Sequence, residues 1–177
     1  DVYKRQVEDL SQRAGSNDEP AIIAFFFAGH GFQRNNVNYI APRNVTEDDT
    51  SAAIPIESII APFTKRQAGM AIFFFDACRV ESSVQIADKP GFGDPHSSEY
   101  SGTVQAFATQ YNQTASSAVD EIATNSPYSS ALKRYLPFSS TNFHLAKVLD
   151  KISIYVEEET LSKRPPQKPV WKPNNVS

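Results

Sequence analysis

The stretch Met70-Ala-Ile-Phe-Phe-Phe-Asp-Ala-Cys-Arg79 carries the clearest structural signal in the chain. Its apolar run, from Met70 to Phe75, is short and continuous, which is typical of a strand buried on both faces of a parallel sheet. The run ends at an acid, a small residue, the only cysteine of the chain and a base. Because sites in open α/β sheets lie at the carboxyl ends of the strands, the pattern predicts that Cys78 belongs to such a site.

An earlier stretch, Ala21-Ile-Ile-Ala-Phe-Phe-Phe-Ala-Gly-His-Gly31, has the same organisation and ends in His30. Between the two stretches, Pro55 suits the first turn of a helix, and the apolar residues from Ile56 to Phe63 follow at helical spacing. A strand, a helix and a strand joined by short loops form a crossover with parallel strands. We therefore expect a thiol and an imidazole side by side on one rim of the sheet.

The rest of the chain continues the alternation and predicts a single domain over residues 1–177. Residues 81–102 are rich in Ser, Asp, Pro and Gly and predict a flexible loop. This loop is either a self-cleavage or gating segment, with Lys89 as the basic site, or an ordinary insertion. Residues 163–177 begin with a proline-rich run and predict an extended tail or edge strand. The other predicted elements are a helix over 3–14, strands over Ile22–Ala28, Val37–Ala41 and Val104–Thr109, a helix starting at Ser126-Pro127, and the longest helix over 143–160.

Composition narrows the classes of function. The 177 residues carry a formal net charge of −3 and are 40% hydrophobic, which gives no electrostatic footprint for nucleic acid. No apolar run is long enough to span a bilayer, so neither a nucleic acid nor a membrane is expected as a partner. A single cysteine forms no internal disulfide and suits a reducing compartment, which favours the cytoplasm.

The residues at the predicted rim suit nucleophilic catalysis. A cysteine becomes a strong nucleophile when a nearby imidazole raises its thiolate fraction, as His30 would for Cys78. The backbone N–H groups of Gly31 and Cys78 are candidate donors to the oxyanion of the attacked carbonyl. Asp76 lies two residues before Cys78 in an extended segment, so both side chains are expected on one face, where the carboxylate would select a basic group of the substrate.

Less specific interpretations of these residues stay open. Asp76 alternatively caps or braces the loop, and a lone cysteine is often a core residue. One thiol, one imidazole and one carboxylate at this spacing match no common zinc pattern, so no metal is assigned. The acidic segment 47–51 is either a calcium site or a solvated turn. His96 and His144 have no comparable sequence context and are expected on a loop and a helix surface.

The motifs Phe27-Ala-Gly-His-Gly31 and Phe75-Asp-Ala-Cys-Arg79 together resemble those of the caspase-like peptidase family (peptidase C14), specifically its metacaspase, paracaspase and prokaryotic branches. In caspases the histidine precedes the cysteine by about 50 residues, as His30 precedes Cys78 here. The resemblance extends from Val7 to Trp171. Its weaker parts are Ala106–Thr109, Asn125–Tyr128 and Gln167–Trp171.

The resemblance implies a three-layer α/β sandwich with a mostly parallel central sheet, and a cysteine endopeptidase activity. His30 matches the catalytic histidine, Cys78 the nucleophile, and Asp76 the acid of the S1 pocket in branches that cleave after Arg or Lys. Arg79 matches a residue that anchors the loop. The implied substrate is a peptide or protein with a basic P1 residue, the implied state is a monomer, and no cofactor is required, with calcium activation left open.

The sequence also departs from the family pattern. The family domain opens with a β-strand and a paired second strand, whereas this chain opens with the helix that follows, so the sheet is expected to lack its first strand or strands. One alternative is therefore a catalytically silent caspase-like scaffold or interaction module. A flavodoxin-like binding domain is a second alternative, but no glycine-rich phosphate loop opens a helix here.

Overall fold

The structure is a computed structural model, and it describes twelve segments of the chain. These are residues 2–13, 22–35, 37–46, 49–64, 70–79, 89–90, 92, 102–110, 115, 125–136, 144–163 and 165–174.

Seven strands among these residues form one mixed sheet. They are β1 (Ile22–Arg34), β2 (Val37–Ala41), β3 (Ile54–Pro55), β4 (Met70–Arg79), β5 (Lys89–Pro90), β6 (Thr103–Phe107) and β7 (Val170–Asn174). The order across the sheet is β3-β2-β1-β4-β6-β7, and β5 pairs with β1. The central strands β1, β4 and β6 are parallel, while β2 and β7 pair antiparallel to them on either side. The parallel pairing predicted for the two aromatic strands is confirmed.

Helices cover the sheet in two layers. The four described helices are α1 (Val2–Arg13), α2 (Ile56–Thr64), α3 (Pro127–Tyr135) and α4 (Leu145–Glu159). Residues of α1 and α2 share one core with Phe73 and Phe75, and residues of α3 and α4 share a second core with Ile72 and Phe74. This arrangement confirms the predicted three-layer α/β sandwich. None of the described helices is long and apolar enough to cross a membrane.

β4 is the buried centre of the sheet. Ile72, Phe73 and Phe75 are all 0% exposed, as expected for a parallel strand with helices on both faces. Phe75 stacks on Phe107 with a ring-centroid distance of 5.2 Å. The strand continues to Arg79, four residues past the predicted apolar run, so Asp76 and Cys78 lie within the strand rather than in a loop.

For β1, the prediction of a strand buried along its length is wrong. Its residues alternate between half-buried and exposed from Ile22 to His30, and Ile22 and Phe26 are 55% and 51% exposed. The reason is that the buried strand residues of the second core come from β4 and β6, and none come from β1. β2 pairs only with residues 30–34 of β1, and no described strand pairs with that edge of residues 22–29.

The segment before β7 is fixed by hydrogen bonds of Gln167. Its side-chain Nε2 donates to the carbonyl of Ala108 at 2.9 Å, and its backbone N–H donates to Oγ1 of Thr160 at 2.8 Å. Trp171 in β7 donates from Nε1 to a carboxylate oxygen of Asp150 at 3.2 Å. The bonds of Gln167 join the approach to β7 to the end of α4 and to the region just after β6, and the Trp171–Asp150 bond joins β7 to α4.

Because helices α3 and α4 cover β4 but not β1, the same substitution on the two strands should change the free energy of unfolding by different amounts. Phe26 and Phe74 are register partners on neighbouring strands, but Phe74 is 2% exposed and Phe26 is 51% exposed. We expect Phe74→Ala to lower the free energy of unfolding by about 3–5 kcal/mol, because it leaves a cavity under α3 and α4. Phe26→Ala should cost less than about 1 kcal/mol. Urea denaturation of both variants measures this, and equal losses would show that the face of β1 is covered.

Candidate active site

The register between β1 and β4 brings the two candidate catalytic residues together. Position 30 is paired with position 78, and the next pair, Gly31 with Arg79, is the last between the strands. Neighbouring strands lie about 4.8 Å apart, so His30 and Cys78 occupy adjacent backbone positions at the carboxyl end of both strands. For Cys78 and Arg79 the structure describes the backbone, and the anchoring role predicted for the Arg79 side chain stays a prediction.

His30 is held at the rim by strands on both sides. β4 pairs with it on one edge, and on the other edge it is paired with Ala41 of β2. Arg34 pairs with Val37 at the closed end of the β1–β2 hairpin, and Asn35, which follows Arg34, has a positive φ of 49°, a conformation that is typical of tight hairpins. His30 itself is exposed. The backbone of His30 is therefore fixed while its ring faces solvent, where a proton-transfer group is accessible.

Gly31 lies under an aromatic ring. A Cβ built on Gly31 would be 2.4 Å from Cζ of Phe92, a distance that real Cβ atoms do not adopt. Phe92 also packs edge-on against Phe75 and Phe107, each at a ring-centroid distance of 5.7 Å. Only glycine fits at position 31 without a shift, because the Phe92 ring is held by its aromatic neighbours.

Phe92 belongs to the segment 81–102, whose described residues are Lys89, Pro90, Phe92 and Gly102. Lys89 and Pro90 form β5, which pairs with Gln33 and Phe32 just beyond the point where β4 ends. The chain that follows Cys78 thus returns to β1 beside the candidate site. The remaining residues of the predicted flexible loop lie outside the described part, and cleavage after Lys89 stays a prediction.

Asp76 is buried at the start of helix α3. It is 3% exposed, and its Oδ2 accepts hydrogen bonds from the hydroxyls of Ser126 and Ser129. Ser126 is also the N-cap of α3, with its Oγ accepting from the N–H of Ser129 at 2.9 Å. A carboxylate is stabilised at a helix N-terminus by the helix dipole. Asp76 therefore joins β4 to the start of α3, and the alternative that it braces the loop stays a prediction.

The second carboxylate oxygen of Asp76 differs from the first. Oδ1 is buried, and within the described parts of the chain it has no hydrogen-bond partner. Burial, together with the negative charge of Asp76, raises the pKa of the neighbouring Tyr128 far above its usual range. Tyr128 is thus neutral at physiological pH and adds no second negative charge. Asp76 consequently presents one satisfied and one unsatisfied oxygen.

The sequence analysis missed three contributions to this site. It identified Ser126 as a helix cap but not as a partner of Asp76, and it assigned no role to Ser129 or Phe92. No local pattern indicated that Ser129 would donate to Asp76, which lies on β4 and precedes it by 53 positions. No local pattern indicated that Phe92 would pack on Gly31.

The other sequence candidates are the acidic segment 47–51, His144 and His96. In the acidic segment, Asp49 accepts hydrogen bonds from Ser51, which lower its pKa, so this part forms a turn closed by its own bonds; residues 47–48 lie outside the described part. His144 is exposed at the N-cap of α4 with no capping bond from its side chain, and His96 is not among the described residues. No group of three or more potential ligands suited to a metal occurs in the described segments.

The chain matches one family model and shares its fold with solved structures. The family model Peptidase_C14, described as the caspase domain, matches residues 3–176. The structure of caspase-1 from Spodoptera frugiperda aligns over 98% of this chain and 67% of its own, with 12% identity and a TM-score of 0.61. A structure described as pro-sf-caspase-1 aligns over 97% and 67%, with 14% identity and a TM-score of 0.62. No curated protein matches by sequence. At these identities the structural matches establish the fold alone.

Because Gly31 contacts Phe92, substitutions at these two positions should have coupled effects on the free energy of unfolding. Gly31→Ala should lower the free energy of unfolding by about 1–3 kcal/mol, because the new methyl group overpacks against the Phe92 ring. In a Phe92→Ala background the same substitution should cost much less. Thermal or urea unfolding of the double-mutant cycle measures this coupling.

Gly29→Ala is the matched control for that cycle. The nearest atom to a Cβ on Gly29 belongs to Phe27, at 2.8 Å, so its cost should not depend on Phe92. If Phe92→Ala relieved both glycine substitutions equally, or neither, the packing described for Gly31 would be incorrect.

Proposed function

The chain belongs to the caspase-domain family, Peptidase_C14, and on this premise we propose that it is a cysteine endopeptidase with Cys78 as nucleophile and His30 as acid and base. The observation that carries the proposal is the register, which pairs these two positions at the open end of the parallel strands. A thiol beside an imidazole gains thiolate character. The exposed position of His30 suits a group that exchanges protons with substrate and water.

The proposed reaction proceeds in two halves. The Cys78 thiol gives its proton to His30, and the thiolate attacks the carbonyl carbon of the scissile peptide bond. The imidazolium then protonates the leaving amine, which departs and leaves an acyl-enzyme thioester. His30 next takes a proton from water while the hydroxide attacks the thioester. The product acid leaves, and the proton returns to Cys78.

Backbone N–H groups of Gly31 and Cys78 are proposed to stabilise the oxyanion. Both residues lie at the last pairs of the β1–β4 ladder, and residues of a parallel ladder direct N–H groups at the neighbouring strand. The proposal therefore requires that the end of the ladder releases these groups when substrate binds. Loss of one such donor typically costs about 3 kcal/mol of transition-state stabilisation.

Asp76 is proposed to select substrates with Arg or Lys at P1. An unpaired buried carboxylate oxygen is costly, since desolvation of a charge costs several kcal/mol unless an opposite charge compensates it. A guanidinium or ammonium group beside Oδ1 would supply that charge. Because Oδ1 is buried, the chain that covers it has to move for substrate to enter.

Peptide hydrolysis tests the proposed dyad. Short fluorogenic peptides with Arg or Lys at P1 should be cleaved by the parent protein and not by Cys78→Ala. His30→Ala should lower kcat by about 10²–10⁴-fold, the usual contribution of a general acid–base group. His144→Ala is the matched control, because His144 is exposed and is the N-cap residue of α4; it should retain full activity.

Two outcomes would contradict the dyad. If Cys78→Ala cleaved peptides as fast as the parent, the nucleophile would be misassigned. If the folded parent cleaved no peptide and a thiol-reactive ketone with an Arg side chain failed to label Cys78, the chain would be the silent scaffold instead.

A separate experiment tests the role of Asp76. Asp76→Asn keeps the size of the side chain but removes its charge, and we expect kcat/KM for Arg-P1 and Lys-P1 peptides to fall roughly 100-fold or more. Asp150→Asn, which alters an exposed aspartate of α4, should change neither value. Faster cleavage by the parent after Asp than after Arg would refute this assignment.

A further inference from the structure

We propose that Ser126 and Ser129 are positioning residues that leave the Asp76 carboxylate with a single free oxygen. As a result, Asp76 would recognise Arg and Lys at P1 about equally well. The inference rests on the proposed function of Asp76 and deepens it. The juxtaposition that carries it is a buried carboxylate whose Oδ2 takes both serine hydroxyls while its Oδ1 takes none.

The two serines hold Oδ2 from a fixed helix. Ser126 ends the non-helical chain, and its Oγ accepts from the Ser129 N–H, so its own hydroxyl proton is free to be donated to Asp76. Tyr128, Ala131 and Leu132 of the same helix are buried in the core that includes Phe74, and they are 1%, 0% and 6% exposed. The two hydroxyls therefore belong to a helix that is packed on the sheet, and this packing holds them beside Oδ2.

The hydrogen-bonding capacity of a carboxylate gives this arrangement its consequence. Two oxygens offer about four lone-pair sites, two on each oxygen. The two O–H donors occupy both lone-pair sites of Oδ2, so Oδ1 is the only oxygen of Asp76 that can accept a hydrogen bond from a ligand. A bound cation is then held from one side of the carboxylate.

One free oxygen removes the advantage that arginine normally has. The guanidinium fork binds a carboxylate best through two parallel N–H···O bonds, one to each oxygen, whereas an ammonium acts as a point charge. With Oδ2 occupied, Arg is restricted to Oδ1 as Lys is. The geometry points to kcat/KM values for Arg-P1 and Lys-P1 peptides that differ by less than about 5-fold.

Removal of one serine hydroxyl should restore the preference for arginine. In Ser129→Ala, Oδ2 regains a free site, and we expect the ratio of kcat/KM for Arg-P1 over Lys-P1 peptides to rise roughly 10-fold, the effect of one added charge-assisted hydrogen bond. Ser129→Thr retains the hydroxyl and should return the ratio to that of the parent. Ser130→Ala, the same substitution one residue further along α3, is the matched control and should leave the ratio unchanged.

A purely structural role of Ser129 predicts a different result. Loss of helix support alone would lower both kcat/KM values together and leave their ratio where it was. An unchanged ratio in Ser129→Ala, or an equal change in Ser130→Ala, would therefore overturn the inference.

A binding measurement separates failure of this inference from failure of the proposed function. Propylguanidinium and butylammonium ions are titrated by NMR into the Cys78→Ala protein, with and without Ser129→Ala. A rise in the preference for guanidinium on loss of the hydroxyl supports the inference even if the parent cleaves no peptide. The same preference in both proteins, or no binding of either ion, overturns it even if the parent is an active peptidase.

Discussion

Ten consecutive parallel pairs between β1 and β4, from Ile22 with Met70 to Gly31 with Arg79, hold the candidate site in place. Because side chains alternate along a strand, a slip of one residue would exchange the faces of every position. His30 would then lie beside Ala77 or Arg79 instead of Cys78. The aromatic layer enforces the observed register, since Phe25 packs with both Phe73 and Phe75 at ring-centroid distances of 6.0 Å. Packing far from the rim thus determines the chemistry possible at the rim.

The two faces of the sheet contribute differently to the site. The face under α1 and α2 supplies aromatic support, and Phe92 extends that cluster until its ring rests on Gly31. The face under α3 supplies polar support, where Ser126 and Ser129 bond to Asp76. Apolar packing fixes the backbone of the strand ends, and hydrogen bonding orients the one buried charge. The site therefore depends on both layers.

A buried charge with one free oxygen is a costly feature for a fold to retain. Helix α3 offsets part of that cost through its dipole and two hydroxyl donors. The remaining oxygen is unsatisfied among the described residues, as expected where a fold reserves a group for a ligand rather than for its own stability. In the proposed peptidase, specificity would come from the free-energy cost of this unsatisfied oxygen. A basic P1 side chain would remove that cost, whereas a neutral P1 side chain would not.

Local patterns in the sequence were sufficient to predict most elements and the parallel pairing of the two strands that carry His30 and Cys78. The aromatic runs predicted β1 and β4, helical spacing predicted α2, and Ser126-Pro127 marked the start of α3. Each of these signals depends on residues within one turn or one strand. The coverage of β1 depended instead on how far α3 and α4 extend across the sheet, and an apolar run alone does not encode the position of a distant helix. The same holds for Asp76: the sequence determined its place beside Cys78, but only the tertiary structure decided that serines fifty and more positions later fill one of its oxygens, because such contacts arise from packing between elements.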